Sequence, residues 1–342
     1  MHTQINLVQD SLGWKRLEDI LEPSVGQCLS LNLTNFLNGR QIIFSNGESR
    51  LVPIQGWARK NKHSCTTLTT IQPLKEETTI VAIDSSSIQV AETEEGVLYA
   101  VKSGIAIATQ GQTQAHFKIG PILFYLSEDT LKHSELDHRI TKLILFDSES
   151  AKRLIRVRVE RAIQLELSHH FTDAILLVDG SLRSSVFEHR SHTLKKIVEN
   201  GSLYKNTVAG ISKSTKLRIL DKISLPLTKI KDPGYIDVNL IIKSLVRNTI
   251  GDSLLVKFGY SYTSPILRLD IATADKDISL GKILGNDSIA RGYPETLQLA
   301  HHISTFTGTE VSCLKSYVLN KYDVVELASE DIRKKLLGSI LI

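Results

Sequence analysis

The sequence predicts an α/β fold, a mixed central sheet flanked by helices, with smaller elements at the N- and C-terminal ends. Three observations predict it. Strand-like apolar runs recur from residue 79 onward, the first three are separated by turns short enough for an antiparallel meander, and a long helical stretch then leads into another apolar run.

Residues 1–25 read as a short amphipathic helix ending near Pro23, and RQIIFSNGESRLVPIQG at 40–56 reads as a hairpin around Asn46-Gly47. Together with the polar stretch 57–78 they form an N-terminal extension (1–78), followed by one main domain at 79–342. TIVAIDSSSIQV, GVLYAVKSGIAIATQ and QAHFKIGPILFYL are the meander strands. In SESAKRLIRVRVERAIQLELSHH, Leu154, Arg158, Arg161 and Leu165 recur at helical spacing. DAILLVDGSL is the next strand. A helix near 190–200, a strand in YKNTVAGISKST, a helix over 235–250 and strands in LLVKFGY and PILRLDIA follow. Pro294 then opens a helix through YPETLQLAHHISTF, and SEDIRKKLLGSILI reads as a capped C-terminal helix.

The composition fits a globular protein: of 342 residues, 42% are hydrophobic, and 41 Lys+Arg against 37 Asp+Glu leave a formal charge of +4. That excess permits a basic groove without requiring one. Cys28, Cys65 and Cys313 are odd in number and far apart, which excludes a disulfide framework or a paired-cysteine metal site. The N-terminus lacks a signal-peptide pattern and no apolar stretch reaches bilayer length, so a cytoplasmic protein with no membrane partner is expected. Phosphate-loop, zinc, nucleophile-elbow and dinucleotide motifs are missing, and ATP hydrolysis is not expected.

Asp84 and Asp179 close apolar runs. Asp before Ser or Gly is ordinary turn chemistry when met once. Two such acids at strand ends, with Glu160 on the helix between them and Glu166 nearly two turns further on, make a hard oxygen site. A buried carboxylate needs a partner or a metal, and two ions ~4 Å apart can activate water at a phosphodiester. This order of elements and acids is that of a ribonuclease H-like core. Lys213, just past an apolar strand, reads alone as a solvated lysine, and beside such a site as a group that steadies phosphate charge. His301 and His302 lie on the helix after GYP; one of them completes the metal shell or transfers a proton. His169, His170, His189 and His192 have no such context. Ser85, Ser86 and Ser87 either approach phosphate or simply end the buried run.

The ordered set VAIDSSS, VRVERA, LLVDGSL, VAGISKS and GYPETLQLAHH resembles the NurA family of archaeal and bacterial nucleases over roughly residues 79–310. The resemblance implies Asp84, Glu160, Asp179 and His301 as metal ligands, Lys213 as a catalytic and DNA-contacting lysine, and Tyr293 as a DNA contact. Glu166 and His302 stay open as alternatives. It implies Mn²⁺ as cofactor, with Mg²⁺ the second option. It further implies single-strand endonuclease and 5′-to-3′ exonuclease activity in the end resection that precedes homologous recombination. The implied assembly is a homodimer working with a HerA-type hexameric ATPase, and the N-terminal helix and GSILI are candidate contacts. Two other functions stand beside it: a non-catalytic DNA clamp of a motor complex, and a ribonuclease H-like enzyme acting on RNA or branched DNA.

Overall fold

The computed structural model describes residues 38–39, 41–44 and 67–327, apart from 133, 135, 189–192, 214–219 and 221–222. The elements run β1 (Gln41–Phe44), β2 (Leu68–Thr70), β3 (Ile80–Glu92), β4 (Gly96–Thr109), β5 (Gln112–Ser127), α1 (Glu128–Lys132), α2 (His138–Phe146), α3 (Ser148–His170), β6 (Ile175–Asp179), α4 (Thr193–Leu203) and β7 (Thr207–Ser212). They continue with α5 (Leu225–Thr228), β8 (Gly234–Asp237), α6 (Asn239–Leu245), β9 (Asp252–Lys257), β10 (Leu267–Ala272), α7 (Lys276–Asn286), β11 (Ile289–Ala290), β12 (Tyr293–Pro294), α8 (Glu295–Ser304), α9 (Gly308–Lys321) and β13 (Val325–Glu326).

One large mixed sheet is ordered β13-β1-β3-β6-β7-β10-β9-β8-β2, and β4 and β5 extend the meander from β3. β3, β6 and β7 are parallel neighbours, and the other pairings around them are antiparallel apart from β1 with β13. Alternate residues feed two cores. Val81, Ile83, Leu176 and Val208 pack with α3 and α4 on one face. Ile80, Ala82, Ile175, Leu177 and Ala209 pack with α7 and α8 on the other. Burial on both faces explains the unbroken apolar runs of these strands.

β3 runs to Glu92, so Asp84 is not a strand end. Its pairing with β4 continues the whole way, whereas its pairing with β6 stops at Ile83–Val178. The serines are strand residues that hold a helix on each face: Ser86 donates to the Ser304 carbonyl of α8, and Ser87 to the Lys152 carbonyl of α3 at 3.0 Å. Their small side chains let both helices come close.

Gly104 sets how close α8 comes. It lies directly opposite Asp84 on β4, and a Cβ there would run into the Ala300 carbonyl and the Ile303 side chain. The far end of α8 is held from below. Lys102, buried on β4, donates to the Thr305 carbonyl and to Glu310 of α9, both at 2.7 Å. Partial burial alone would raise the Glu310 carboxyl, but the Lys102 hydrogen bond and charge hold it down to about 2.

Several sequence expectations are revised. Gly234–Asp237 is a strand, and the helix expected over 235–250 is confined to Asn239–Leu245. Tyr293–Pro294 pairs with β11, so Pro294 caps α8 and Glu295 begins it. β2 falls within the stretch read as loop and joins the sheet beside β8. β1, the first arm of the expected hairpin, pairs with β3 and β13. The Asn46-Gly47 turn, the 1–25 helix and the C-terminal helix from Ser329 lie outside the described residues. Among the described residues, no helix is long and apolar enough to cross a membrane.

Gly104→Ala is expected to destabilise the fold by about 1–3 kcal/mol, because α8 must shift, and chemical denaturation measures this. Glu310→Gln leaves the buried Lys102 charge unpaired and is expected to cost about 3 kcal/mol at neutral pH. A carboxyl with a depressed pKa stabilises the fold above its unfolded value, and that contribution is lost as pH falls toward about 2. Wild type and variant should therefore converge on acidification from pH ~4.5.

Candidate active site

The register of two parallel strands builds the site. Because Ile83 lies beside Val178, Asp84 and Asp179 follow side by side, both directed to the face covered by α8. Asp84 is buried and Asp179 half-buried. The turn after Asp179 begins with Gly180 at φ +118°, and its N–H bonds the Ile211 carbonyl at 2.9 Å. That turn folds onto β7 where Gly210 has no side chain to obstruct it. A buried carboxylate anchors it: Asp270 accepts from the Leu182 N–H at 3.1 Å, Ser253 at 2.6 Å and the Arg268 guanidinium at 3.0 and 2.9 Å. Such a charge is stable only because every oxygen is engaged.

α8 brings the third candidate ligand. His301 Nδ1 lies 2.7 Å from Asp84 Oδ2, and the Ser304 hydroxyl donates to the same oxygen at 3.2 Å. The Ser85 N–H donates to Asp84 Oδ1 at 2.8 Å. One ligand atom from each of Asp84, Asp179 and His301 lies within 4.8 Å of the others. Two carboxylates and an imidazole suit a divalent ion such as Mn²⁺ or Mg²⁺, and fixing one ring nitrogen against Asp84 leaves the other available. His302 lies beside His301, ring centroids 6.2 Å apart, and is exposed without this contact.

Lys213 and Tyr293 close the Asp179 side. The Lys213 ammonium donates to Asp179 Oδ2 at 2.8 Å and lies 5.4 Å from the Tyr293 ring centre. Tyr293 donates to Asp179 Oδ1 at 3.5 Å. Burial, with the charges of Asp179 and Asp84, pushes its phenol well above the ordinary range, so it stays a donor.

Glu160 comes from α3, on the opposite face, and is not one of the three mutually close ligands. It accepts from Gln164 at 2.9 Å, and Gln164 accepts in turn from Arg161, which pairs with Glu188 at 3.0 Å. Burial pushes its carboxyl up to about 7; Arg161 and Arg156 oppose the rise, and Asp84 and Asp179 add to it. Glu160 therefore feels both aspartates. Glu166 is ~9 Å further along the helix and ~240° around it, off the side that carries Glu160. Of the residues read from sequence, the structure brings together Asp84, Asp179, His301, Lys213 and Tyr293, with Glu160 at their margin. It adds Ser304, Gly104 and Asp270, which position that group.

A mixed sheet with helices on both faces and carboxylates on adjacent parallel strands defines a ribonuclease H-like α/β protein. A family model of the NurA domain matches residues 78–305, well over half the chain. The protein belongs to the NurA family. No curated protein sequence matches it. Among solved structures it is similar to the NurA nuclease from Sulfolobus solfataricus, at 15% identity over 74% of this chain and 87% of that one, with a TM-score of 0.47. It is similar to a second NurA structure at 11% identity over 72% and 90%, with a TM-score of 0.45. Endonuclease V from Streptomyces avermitilis is similar at 11% identity over 70% and 85%, with a TM-score of 0.36.

Calorimetric titration with Mn²⁺ tests the ligand set. Asp84→Asn is expected to abolish binding, and Ser304→Ala to weaken it by about tenfold through loss of the hydrogen bond that orients Asp84. His302→Ala is expected to leave it unchanged.

Proposed function

We propose that this protein is a metal-dependent deoxyribonuclease that cuts single-stranded DNA and resects duplex ends by hydrolysing phosphodiester bonds. The observation that carries the proposal is the convergence of Asp84, Asp179 and His301 with Lys213 beside them. Asp84, Asp179 and His301 would hold Mn²⁺ or Mg²⁺, with Glu160 as a further carboxylate. When bound, such an ion supplies a hydroxide-like water and polarises the phosphoryl oxygens.

The chain's own groups do the rest. Lys213, paired with Asp179 and half exposed, neutralises charge on an approaching phosphate. Tyr293 keeps its proton and donates, which holds Asp179 in orientation. Burial pushes the Glu160 carboxyl up to about 7, and a bound cation would favour its ionised, ligating form. His301 is held in orientation by its contact with Asp84.

Family membership supports the finer reading: 5′-to-3′ exonuclease and single-strand endonuclease activity in break resection, a homodimer that places two sites around DNA, and a HerA-type hexameric ATPase as motor. Phosphate contacts make binding fall steeply with salt.

The test is cleavage of single-stranded DNA, duplex DNA, RNA and an RNA–DNA hybrid, with Mn²⁺, with Mg²⁺ and with chelator. DNA cleavage that needs the metal and disappears in Asp84→Ala is expected. Full activity in that variant, or activity confined to RNA, overturns the proposal. Light scattering and co-elution with the ATPase check the dimer and the motor.

A further inference from the structure

The loop between β9 and β10 leaves the sheet at the edge that carries the carboxylates. Asp179 pairs with Ile211, Ile211 with Leu269 and Leu269 with Leu254, and β9 then runs to Lys257 before the loop Phe258–Ile266 begins. The loop borders a cavity of about 560 Å³, whose walls include Tyr260, Ser261, Thr263, Asp287, Arg291 and Gly292. Gly292 is followed directly by Tyr293, the donor to Asp179, so cavity and carboxylates share one short stretch of chain.

Two features show that this place is built. Lys257 is fully buried, and its ammonium is spent on three carbonyls, those of Ile230, Lys231 and Ser261, the last two at 3.1 and 3.2 Å. A buried cation used as a clamp holds the loop in one shape. On that loop Tyr260 and Tyr262 are 59% and 55% exposed, although large aromatic rings ordinarily turn inward. Elsewhere on the cavity wall, β11 and β12 are joined by the two-residue turn Arg291-Gly292, with φ of +55° and +80°. Asn or Gly is the usual first residue of such a turn, and an arginine there costs about 1 kcal/mol. The Gln298 side chain fixes the hairpin by donating to the Ala290 carbonyl at 3.0 Å. Arg291 is exposed, and no carboxylate among the described residues pairs with it.

We infer that this cavity receives an unpaired stretch of the DNA strand being cut, with a base stacked on Tyr260 in its wall, or on Tyr262, exposed between the wall residues Ser261 and Thr263, and a phosphate on Arg291. The inference rests on the nuclease reading of the carboxylate site and deepens it. Its size lies within the range of sites that enclose small ligands, roughly 300–1,000 Å³. The chemistry is that of sequence-tolerant single-strand recognition: a π face for any base and a cation for the backbone. The hydroxyls of Ser261 and Thr263 supply polar partners on the wall for base edges. A duplex keeps its bases stacked on one another and cannot offer one to a tyrosine, so the cavity selects frayed or single-stranded DNA.

Binding measured apart from cleavage tests this. Fluorescence anisotropy of a short labelled oligodeoxythymidylate, with chelator present, is compared for the full chain, Asp84→Ala, Tyr260→Ala/Tyr262→Ala and Arg291→Gln. The tyrosine variant is expected to lose about fivefold to a hundredfold in affinity, and with it the preference for a base-bearing over an abasic oligonucleotide. Arg291→Gln is expected to lower the slope of affinity against salt by about one phosphate contact. Asp84→Ala should fail to cut when Mn²⁺ is supplied in place of chelator, which tests the carboxylate site apart from the cavity. Unchanged affinity and unchanged abasic discrimination in the tyrosine variant, with normal melting, overturn the inference and leave the nuclease reading standing. Tighter binding of the matching oligouridylate overturns the assignment to DNA. Loss of metal-dependent cutting in an otherwise normally binding wild type overturns the nuclease reading alone.

Discussion

The candidate site depends on one strand pairing that stops early. β6 runs beside β3 for four paired residues and ends, while β3 continues against β4. Asp84 and Asp179 are the next residues on the two strands, so their carboxylates share a level at the edge of the sheet. Side-chain alternation then decides the face. A shift of one residue in this register would turn one of them toward α3 and break up the site.

Two like charges held this close need compensation, and the structure supplies it from both sides. Lys213 and Tyr293 engage Asp179; His301, Ser304 and the Ser85 N–H engage Asp84. None of these would be in reach without the backbone approaches behind them. Gly104 lets α8 lie on β4, Gly210 lets the Asp179 turn lie on β7, and the buried Lys102 and Asp270 hold the adjoining segments by hydrogen bonds. The surroundings are polar anchors, and Lys213, His301 and the two loop tyrosines are the groups at this edge that stay exposed.

Much of the fold was legible because its central strands are buried on both faces and its main helix is long. α7 and α9 were not. α7 buries Ser279, Gly281 and Asn286 along with Leu280 and Ile283, and α9 buries only Val318, so neither shows an apolar stripe at helical spacing. Gly234–Asp237 was drawn into a helix because a four-residue strand next to an apolar helix leaves no break in the pattern. Gly104 was invisible for a different reason. A glycine within a strand pattern signals some close approach, but not what approaches.

The sequence by itself determined the run from the meander through the long helix to the next strand, and marked Asp84 and Asp179, since an acid that ends a doubly buried apolar run stands out locally. It also placed Glu160, Lys213, Tyr293 and His301 among the candidates. Only the tertiary structure decided that His301, and not His302, meets Asp84 across 217 residues of chain, that the charges of both aspartates act on Glu160, and that Ser85, Ser86 and Ser87 hold packing contacts. Those outcomes rest on strand register and on the depth to which α8 docks over Gly104. Both are distances between parts of the chain far apart in sequence, and local residue patterns do not record them.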